Sequence, residues 1–392
     1  MRIGIDLRRL ALADQLSMFG AAPVRVKAHA RRTLHGTGLV RAHVRHVEHA
    51  APEQPELPLE RMEREAAVKD YPLIRIGLPY SSAGELTQQA QRLGASTLLS
   101  MGSYVRPPAG GVTGFPTFAG FSPLGAAPFS TPAALDSGGF TAMLAGGYRW
   151  TVDQHVDFVA TNRGAGEQPF PWAWWAAMDY CVEPEIAGNR AEVERRMQQT
   201  VDTYGETLDH LVDWWNEGVT DVPAPMPTLQ GRTAADYVWS ARAMAKEIDA
   251  HHPCSCPTTG PETCTAECHR DHAGLPSLVG LGSVCRRELH GPSGLLTILD
   301  ALDRELPPHV RLHLFGVKGA TLAHLDRFGT RVASVDSMAW DKRATEAVKE
   351  QRRAAGVAHL RPGDEGFIPN TTENRARHMR EWYETQQRRK EE

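Results

Sequence analysis

Short apolar runs alternate with amphipathic stretches along the chain from residue 73 onward. Such runs predict strands, and apolar residues that recur every three or four positions predict helices. Helical recurrence is strongest over Asn189–Glu217, Thr233–Ile248 and Leu295–Leu306, with Asn189 and Thr233 as N-caps. This alternation indicates an α/β fold with a parallel sheet. Eight strands are predicted, at Leu73–Pro79, Ser96–Gly102, Ala133–Phe140, Ala173–Tyr180, Ala224–Gly231, Leu278–Val284, Arg311–Val317 and Arg331–Ser337.

Polar side chains lie at the carboxyl ends of four of these strands: Asp136, Asp179, Gln230 and Asp336. The catalytic residues of α/β barrels come from the carboxyl ends of several strands. An isolated aspartate in such a position is as often a helix N-cap, but four polar strand ends in one layout favour a shared site. The sequence therefore predicts a (β/α)8 TIM barrel with a catalytic end.

The barrel is predicted to occupy residues 71–357, with an insertion at 251–273 and a long loop over Pro107–Pro132 at the catalytic end. Residues 1–70 are predicted to form a basic N-terminal extension. Residues 358–392 are predicted to form a charged helical tail that is solvated. No apolar run approaches the roughly 20 residues of a membrane span, and Met1–Leu10 is too charged for a signal peptide. We therefore expect a cytoplasmic protein without a membrane partner.

The N-terminal extension carries a basic segment although the net charge of the chain is −4. Residues 24–31 and 39–47 alternate apolar with basic side chains around His35-Gly36-Thr37-Gly38, which predicts a hairpin with one basic face. A local basic patch can bind phosphates whatever the net charge, and a solvated charged face is the alternative. The candidate nucleic-acid-binding residues are Arg25, Lys27, Arg31, Arg32, Arg41 and Arg45.

Four of the six cysteines are clustered within the predicted insertion. In a cytoplasmic chain such clustering favours a structural Zn²⁺ site over disulfides. The spacing is not that of a standard zinc finger, so His269 or His272 could replace a cysteine, and unligated thiols are the alternative. The candidate metal ligands are Cys254, Cys256, Cys264 and Cys268.

The element Asp136-Ser137-Gly138-Gly139-Phe140, followed by Asp179, the pair Gln230-Gly231 and Asp336, resembles the queuine/archaeosine family of guanine transglycosylases. These enzymes exchange guanine in a nucleic acid for a 7-deazaguanine base. The resemblance extends from about Leu73 to about Arg343 and implies a TIM-barrel transglycosylase domain. It also implies that Asp336 is the nucleophile that holds the sugar covalently, and that Asp136 is the general acid and base.

The resemblance further implies which groups contact the base. Asp179 is similar to the aspartate that accepts the N–H groups of guanine, and Gln230-Gly231 to the pair that donates to its carbonyl. The glycines at 138 and 139 are expected to leave room for a flat purine. The predicted substrate-binding residues are Ser137, Gly138, Asp179, Gln230, Gly231, Gly280, Leu281 and Gly282, the last three through a backbone that faces the base.

Two departures from the tRNA-modifying enzymes favour the DpdA-like branch, which modifies DNA. The cysteine cluster precedes the sixth predicted strand and no cysteine follows Asp336, whereas the tRNA enzymes carry their zinc motif after the nucleophile. The basic N-terminal segment suits binding of DNA phosphates during base flipping. The predicted activity is insertion of 7-cyano-7-deazaguanine into DNA. Other proteins of a DNA-modification system are the expected partner proteins. A tRNA-guanine transglycosylase and a catalytically silent nucleic-acid-binding paralogue are the alternatives.

Overall fold

The computed structural model divides the chain into two compact units, Met1–Leu57 and Pro58–Glu392. In the first unit it describes only strand backbone. Side chains are described in the second. The described residues are 23–26, 29–33, 36–40, 43–46, 72–78, 85–106, 118–122, 133–162, 172–219, 222–251 and 274–391.

The first unit contains two antiparallel ladders. β1 (Pro23–Val26) pairs with β4 (His43–His46), and β2 (His29–Thr33) pairs with β3 (Gly36–Val40). Thr33 pairs with Gly36 at the end of the β2–β3 ladder, so the described backbone is compatible with the predicted hairpin. Arg31 and Arg32 are consecutive positions of β2, and consecutive positions of a strand belong to opposite faces. Arg32 therefore lies outside the alternation that predicts one basic face, and because the side chains of this segment lie outside the described part of the chain, that face stays a prediction.

The second unit is built on an eight-stranded sheet in which every pairing is parallel. All eight predicted strands are present. The strands are β5 (Leu73–Leu78), β6 (Ser96–Ser100), β7 (Ala133–Asp136), β8 (Trp172–Trp175), β9 (Thr228–Leu229), β10 (Leu278–Leu281), β11 (Arg311–Leu314) and β12 (Val332–Ser337). The strand order is β8-β7-β6-β5-β12-β11-β10-β9, so strands that are consecutive in the chain lie side by side, and β5 pairs with β12.

The sheet curls until its two edge strands meet. A parallel bridge joins Ala176, directly after β8, to Met226, shortly before β9. The N–H of Met226 donates to the carbonyl of Trp175 at 2.7 Å, and the N–H of Ala177 donates to the carbonyl of Met226 at 3.2 Å. The architecture is therefore a TIM-like α/β fold in which the carboxyl ends of all eight strands face the same way.

β9 is much shorter than the predicted strand Ala224–Gly231. Prolines stand at positions 223, 225 and 227, and proline has no N–H to donate to a ladder. Pairing with β10 is consequently limited to Thr228 and Leu229.

Helices follow the strands and cover the sheet from outside. Asn189 caps α4 (Arg190–Asn216), its side chain accepting from the N–H of Glu192 at 2.9 Å, and Thr233 caps α5 (Ala234–His251) by accepting from the N–H of Asp236 at 3.2 Å. Both predicted N-caps are confirmed. The helices are α1 (Glu85–Arg92), α2 (Gly139–Leu144), α3 (Val152–Thr161), α4 (Arg190–Asn216), α5 (Ala234–His251), α6 (Leu295–Glu305), α7 (Ala339–Ala354) and α8 (Thr372–Glu391).

The C-terminal helix is not a solvated tail. Met379 and Trp382 of α8 are buried in the main hydrophobic core, and Gln386 is buried beside them. Arg375 at the start of α8 pairs with Asp341 of α7 at 2.6 Å. The helix is confirmed, but the expectation that it is solvated is wrong, because one apolar stripe of this otherwise charged helix packs against α1 and α7.

A small separate core fills the barrel interior. It contains Trp174, and Trp172 and Trp175 on either side are equally buried in the strand. The aromatic residues of this strand are therefore core residues. The members of the interior core are Leu98, Ala134, Trp174, Ala176, Met226, Leu278 and Ala333. Across the described residues, no helix has the length and apolar character needed to cross a membrane.

Candidate functional site

The four polar strand ends are brought to the carboxyl end of the barrel. Asp136 is the last residue of β7, Asp336 is the penultimate residue of β12, and Gln230 directly follows β9. Asp179 lies four residues after β8. Asp179, Gln230 and Asp336 are buried, and the charges of Asp179 and Asp336 both act on Asp136. Three carboxyl groups, of which Asp136 is half-buried, and one buried amide thus lie at the same end of the sheet.

Asp136 has the proton affinity of a group that can exchange protons near neutral pH. Its Oδ2 accepts from the N–H of Gly138 at 3.1 Å, and Ser100 also donates to it. Burial, reinforced by the charges of Asp179 and Asp336, raises the pKa of Asp136 to about 7 despite these hydrogen bonds. At physiological pH a carboxyl group with this pKa is protonated in a substantial fraction of the molecules, as a general acid must be.

Asp179 is held on both carboxylate oxygens. The hydroxyl of Ser137 donates to Oδ1, and Nε2 of Gln230 donates to Oδ2. The hydroxyl of Tyr148 accepts from the backbone N–H of Asp179 at 3.1 Å and lies 2.9 Å from its carbonyl oxygen. Burial raises the pKa of Asp179 above its usual value. Its orientation is therefore fixed from three elements of the chain.

Unlike Asp136, Asp336 is surrounded by nitrogen-containing groups of the protein. Its Oδ1 accepts from the N–H of Gly316 at 2.8 Å, and Nε2 of His313 lies 3.4 Å from the same oxygen. Burial lowers the pKa of His313, so this imidazole is neutral at neutral pH. Burial also lowers the pKa of Arg75 to about 9, which leaves the guanidinium charged and attracted to Asp336. A negative carboxylate at position 336 thus has a cation and a hydrogen-bond donor as partners.

The imidazole of His313 is held in place by two aromatic rings and one hydroxyl group. Its ring centroid lies 4.7 Å from that of Trp174 and 4.6 Å from that of Phe315. Its Nδ1 is 2.8 Å from the hydroxyl of Ser334. Sequence reasoning missed His313 because a histidine between leucines in a strand has no motif, and it is the pairing of β11 with β12 that places it beside Asp336.

The glycines of the Asp-Ser-Gly-Gly element accommodate protein atoms. Gly138 has a φ of 76°, in the left-handed region, and a Cβ there would lie 2.7 Å from the backbone nitrogen of Gly102. A Cβ on Gly139 would lie 2.7 Å from Oδ1 of Asp179. These glycines therefore allow close approach of the neighbouring chain and of Asp179, and the expectation that they also leave room for a purine stays a prediction.

The other predicted glycines also have partners within the protein. The N–H of Gly280 donates to the carbonyl of Pro227 at 2.8 Å, the carbonyl of Leu281 accepts from Phe315 at 3.2 Å, and the carbonyl of Gly282 accepts from the hydroxyl of Tyr237 at 2.7 Å. The carbonyl of Gly231 accepts from Arg287 at 2.8 Å. Each of these backbone groups thus has a hydrogen-bond partner within the protein. Contact between these groups and a substrate stays a prediction.

Ser283 and Glu183 complete the site and were also missed. The hydroxyl of Ser283 lies 2.6 Å from Oε1 of Gln230 and 2.9 Å from Oε2 of Glu183. Ser283 has a φ of 53°, the only positive value at a non-glycine residue of the described chain. Such backbone conformations are costly and cluster at functional sites. No sequence signal marks a strained serine, and Glu183 stands four residues beyond Asp179 in a stretch without a motif.

The predicted metal site cannot be compared with the structure. Cys254, Cys256, Cys264 and Cys268, together with His269 and His272, lie outside the described residues, as do Lys27 and Arg41 of the basic segment. Within the described residues, one group could hold a metal ion: Asp153, Glu206 and His210, whose ligand atoms lie within 4.8 Å of one another. It contains no cysteine and shares no residue with the predicted zinc site.

The arrangement suits displacement at a sugar carbon. One carboxyl group, Asp136, can carry a proton near neutral pH, and a second, Asp336, faces a cation and an N–H donor. Pairs of carboxyl groups whose environments differ in this way serve as acid and nucleophile in retaining glycoside chemistry. No protein-family model matches the chain, and no curated protein matches it.

Proposed function

We propose that the protein is a guanine transglycosylase that exchanges guanine in DNA for a 7-deazaguanine base, 7-cyano-7-deazaguanine. The observation that carries the proposal is the convergence of Asp136, with its pKa of about 7, and Asp336 on the buried Asp179–Gln230 pair. Acid, nucleophile and a guanine-reading pair are the three functions that base exchange requires.

In the proposed reaction a carboxylate oxygen of Asp336 attacks the anomeric carbon of the target nucleotide. The bond from that carbon to guanine breaks, its electron pair leaves with the base, and Asp136 supplies a proton to the leaving base. The incoming 7-deazaguanine then gives a proton to Asp136 and attacks the same carbon. The bond to Asp336 breaks as the new glycosidic bond forms, which regenerates both carboxyl groups.

The proposed recognition uses the Asp179–Gln230 pair. A guanine-type base offers N1–H and an exocyclic amine, which one carboxylate can accept together, and a carbonyl that needs a donor. The oxygens of Asp179 supply acceptors, and Nε2 of Gln230 has a second N–H beyond the one given to Asp179. A buried polar site of this kind rejects bases that leave its groups unpaired.

DNA is proposed over tRNA on two sequence features. The cysteine cluster precedes β10, and no cysteine follows Asp336, where tRNA-acting relatives carry their zinc motif. The basic segment on the N-terminal hairpin supplies cations for phosphates. Nucleoside mass spectrometry of DNA and tRNA from cells that express the protein tests the proposal. We expect a 7-deazaguanine nucleoside in DNA, and its appearance in tRNA alone would move the function to tRNA modification.

The cysteine cluster is predicted to bind one zinc ion that stabilises the insertion and takes no part in the chemistry. Thiolates and imidazoles are the ligands that structural zinc prefers. Metal analysis of the purified protein should return about one zinc per chain, and replacing Cys254 and Cys256 by serine should remove it. Cys285→Ser, outside the cluster, is the matched control and should keep the metal. A metal-free preparation with full activity would refute the site.

The N-terminal hairpin is predicted to hold DNA through its phosphates. Replacing Arg31, Arg32, Arg41 and Arg45 together by glutamine should weaken DNA binding and reduce its salt dependence, with a slope smaller by about 0.9 log unit for each phosphate that the variant no longer neutralises. Affinity is measured by titration at several salt concentrations. The matched control removes the same charge from four exposed arginines of α8: Arg377, Arg380, Arg388 and Arg389. If the dependence of DNA affinity on salt has the same slope in both variants, the hairpin does not bind DNA phosphates and no longer favours DNA over tRNA.

A further inference from the structure

Gln230 is backed by two further buried polar residues. Gln230 is 0% exposed, Glu183 is 5% and Ser283 is 8%. The hydroxyl of Ser283 contacts both of the others, at 2.6 Å from Oε1 of Gln230 and 2.9 Å from Oε2 of Glu183, and it accepts from the N–H of Val182 at 2.9 Å. Three groups thus contact one serine hydroxyl.

The single hydrogen of the serine hydroxyl decides the direction of each bond. A serine hydroxyl has one hydrogen to donate and two lone pairs. Oε1 of Gln230 can only accept, so Ser283 gives its hydrogen to Gln230. The contact between Ser283 and Glu183 then needs a hydrogen from Glu183, which must carry it on Oε2. Burial and the charge of Asp179 raise the pKa of Glu183, in keeping with a protonated acid.

The opposite proton arrangement would disturb Gln230. If Glu183 were ionised, the hydrogen of Ser283 would be drawn to it and Oε1 of Gln230 would have no donor. A rotation of the amide by half a turn would restore that contact but place Oε1 against Oδ2 of Asp179, where Nε2 now donates. The neutral acid therefore favours one of the two amide orientations.

We infer that Ser283 and Glu183 are positioning residues that fix the Gln230 amide with its NH2 group toward Asp179, and so select a base with a carbonyl rather than an amine opposite Gln230. The inference rests on the proposed function and names the determinant of its base specificity. The positive φ of Ser283 agrees with it. Glycine would adopt this backbone without strain, yet only serine also supplies the hydroxyl.

The test compares binding of guanine and of 2,6-diaminopurine, which carries an amine in place of the carbonyl, by calorimetry on the intact protein. Wild type should prefer guanine. Ser283→Gly and Ser283→Ala should both lose most of that preference, by about tenfold or more. Ser283→Gly relaxes the backbone while Ser283→Ala leaves it strained, so equal losses assign the effect to the hydroxyl.

Glu183→Gln should retain the preference, because an amide NH2 donates to Ser283 as the protonated acid does. Glu185→Gln, two residues away and paired with Arg286, is the matched control. Retained preference in both Ser283 variants, or its loss in Glu183→Gln, would overturn the inference. If wild type shows the preference but exchanges no base into DNA or tRNA, the proposed function fails while the inference stands. If wild type binds no guanine, both fall.

Discussion

Asp336→Asn is expected to abolish base exchange while leaving nucleic-acid affinity and the fold intact. The amide of asparagine lacks the negative oxygen that attacks the sugar carbon. Its carbonyl oxygen can still accept from the N–H of Gly316, as Oδ1 of Asp336 does at 2.8 Å, so this contact is kept although Arg75 loses the negative charge that attracts it. Incorporation of labelled guanine into a polynucleotide and titration of DNA binding measure the two effects.

Asp326→Asn is the matched control for this variant. Asp326 is an exposed carboxylate of the same segment, before β12, and its neutralisation should leave exchange unchanged. Turnover by Asp336→Asn at the wild-type rate would remove Asp336 from the role of nucleophile.

The second large effect is expected at Asp136. Asp136→Ala should lower exchange at least about a hundredfold, the usual scale of general acid and base catalysis. Binding of free guanine should change much less, because Asp179 and Gln230 are bound to each other and retain their hydrogen bond. If the variant loses less than about tenfold of the activity, Asp136 has a role in binding and not in proton transfer.

The same carboxyl group should leave a signature in stability against pH. Its pKa is about 7 in the folded protein against an ordinary value of 3.8, so the folded state binds its proton more tightly than the unfolded state. The stability that this group contributes is complete below about pH 4 and is lost as pH rises through about 7. Asp136→Asn, which keeps the side-chain shape, should therefore gain thermal stability relative to wild type as pH rises from about 5 to about 8. A difference in melting temperature that does not vary with pH would contradict the burial of this charge.

The strands and their polar ends could be predicted because each strand of a parallel sheet carries its own local signal. Apolar runs predicted all eight strands, and the polar residue at the end of a run predicted Asp136, Asp179 and Gln230. The length of β9 is overestimated by the sequence pattern because prolines at alternate positions interrupt strand pairing without changing the apolar pattern. The docked face of α8 was missed because a few buried residues in a charged helix give little periodicity.

The groups that support the strand ends could not be predicted, since they depend on contacts between segments that are distant in the chain. Gly316 donates to Asp336 from 20 residues away in the chain, and Ser283 contacts Glu183 across 100 residues. The close approach of Gly102 to Gly138 and of Asp179 to Gly139 could not be predicted either. Local sequence indicates that space is needed there but not which atoms fill it.

The most direct measurement is in vitro base exchange. Purified protein is incubated with labelled guanine and either duplex DNA or tRNA, and label in each polymer is counted after removal of free base, with Asp336→Asn in parallel. We predict label in DNA with wild type and none with the variant. Absence of label from both polymers, in preparations that bind guanine, would contradict the proposal that this barrel is a transglycosylase.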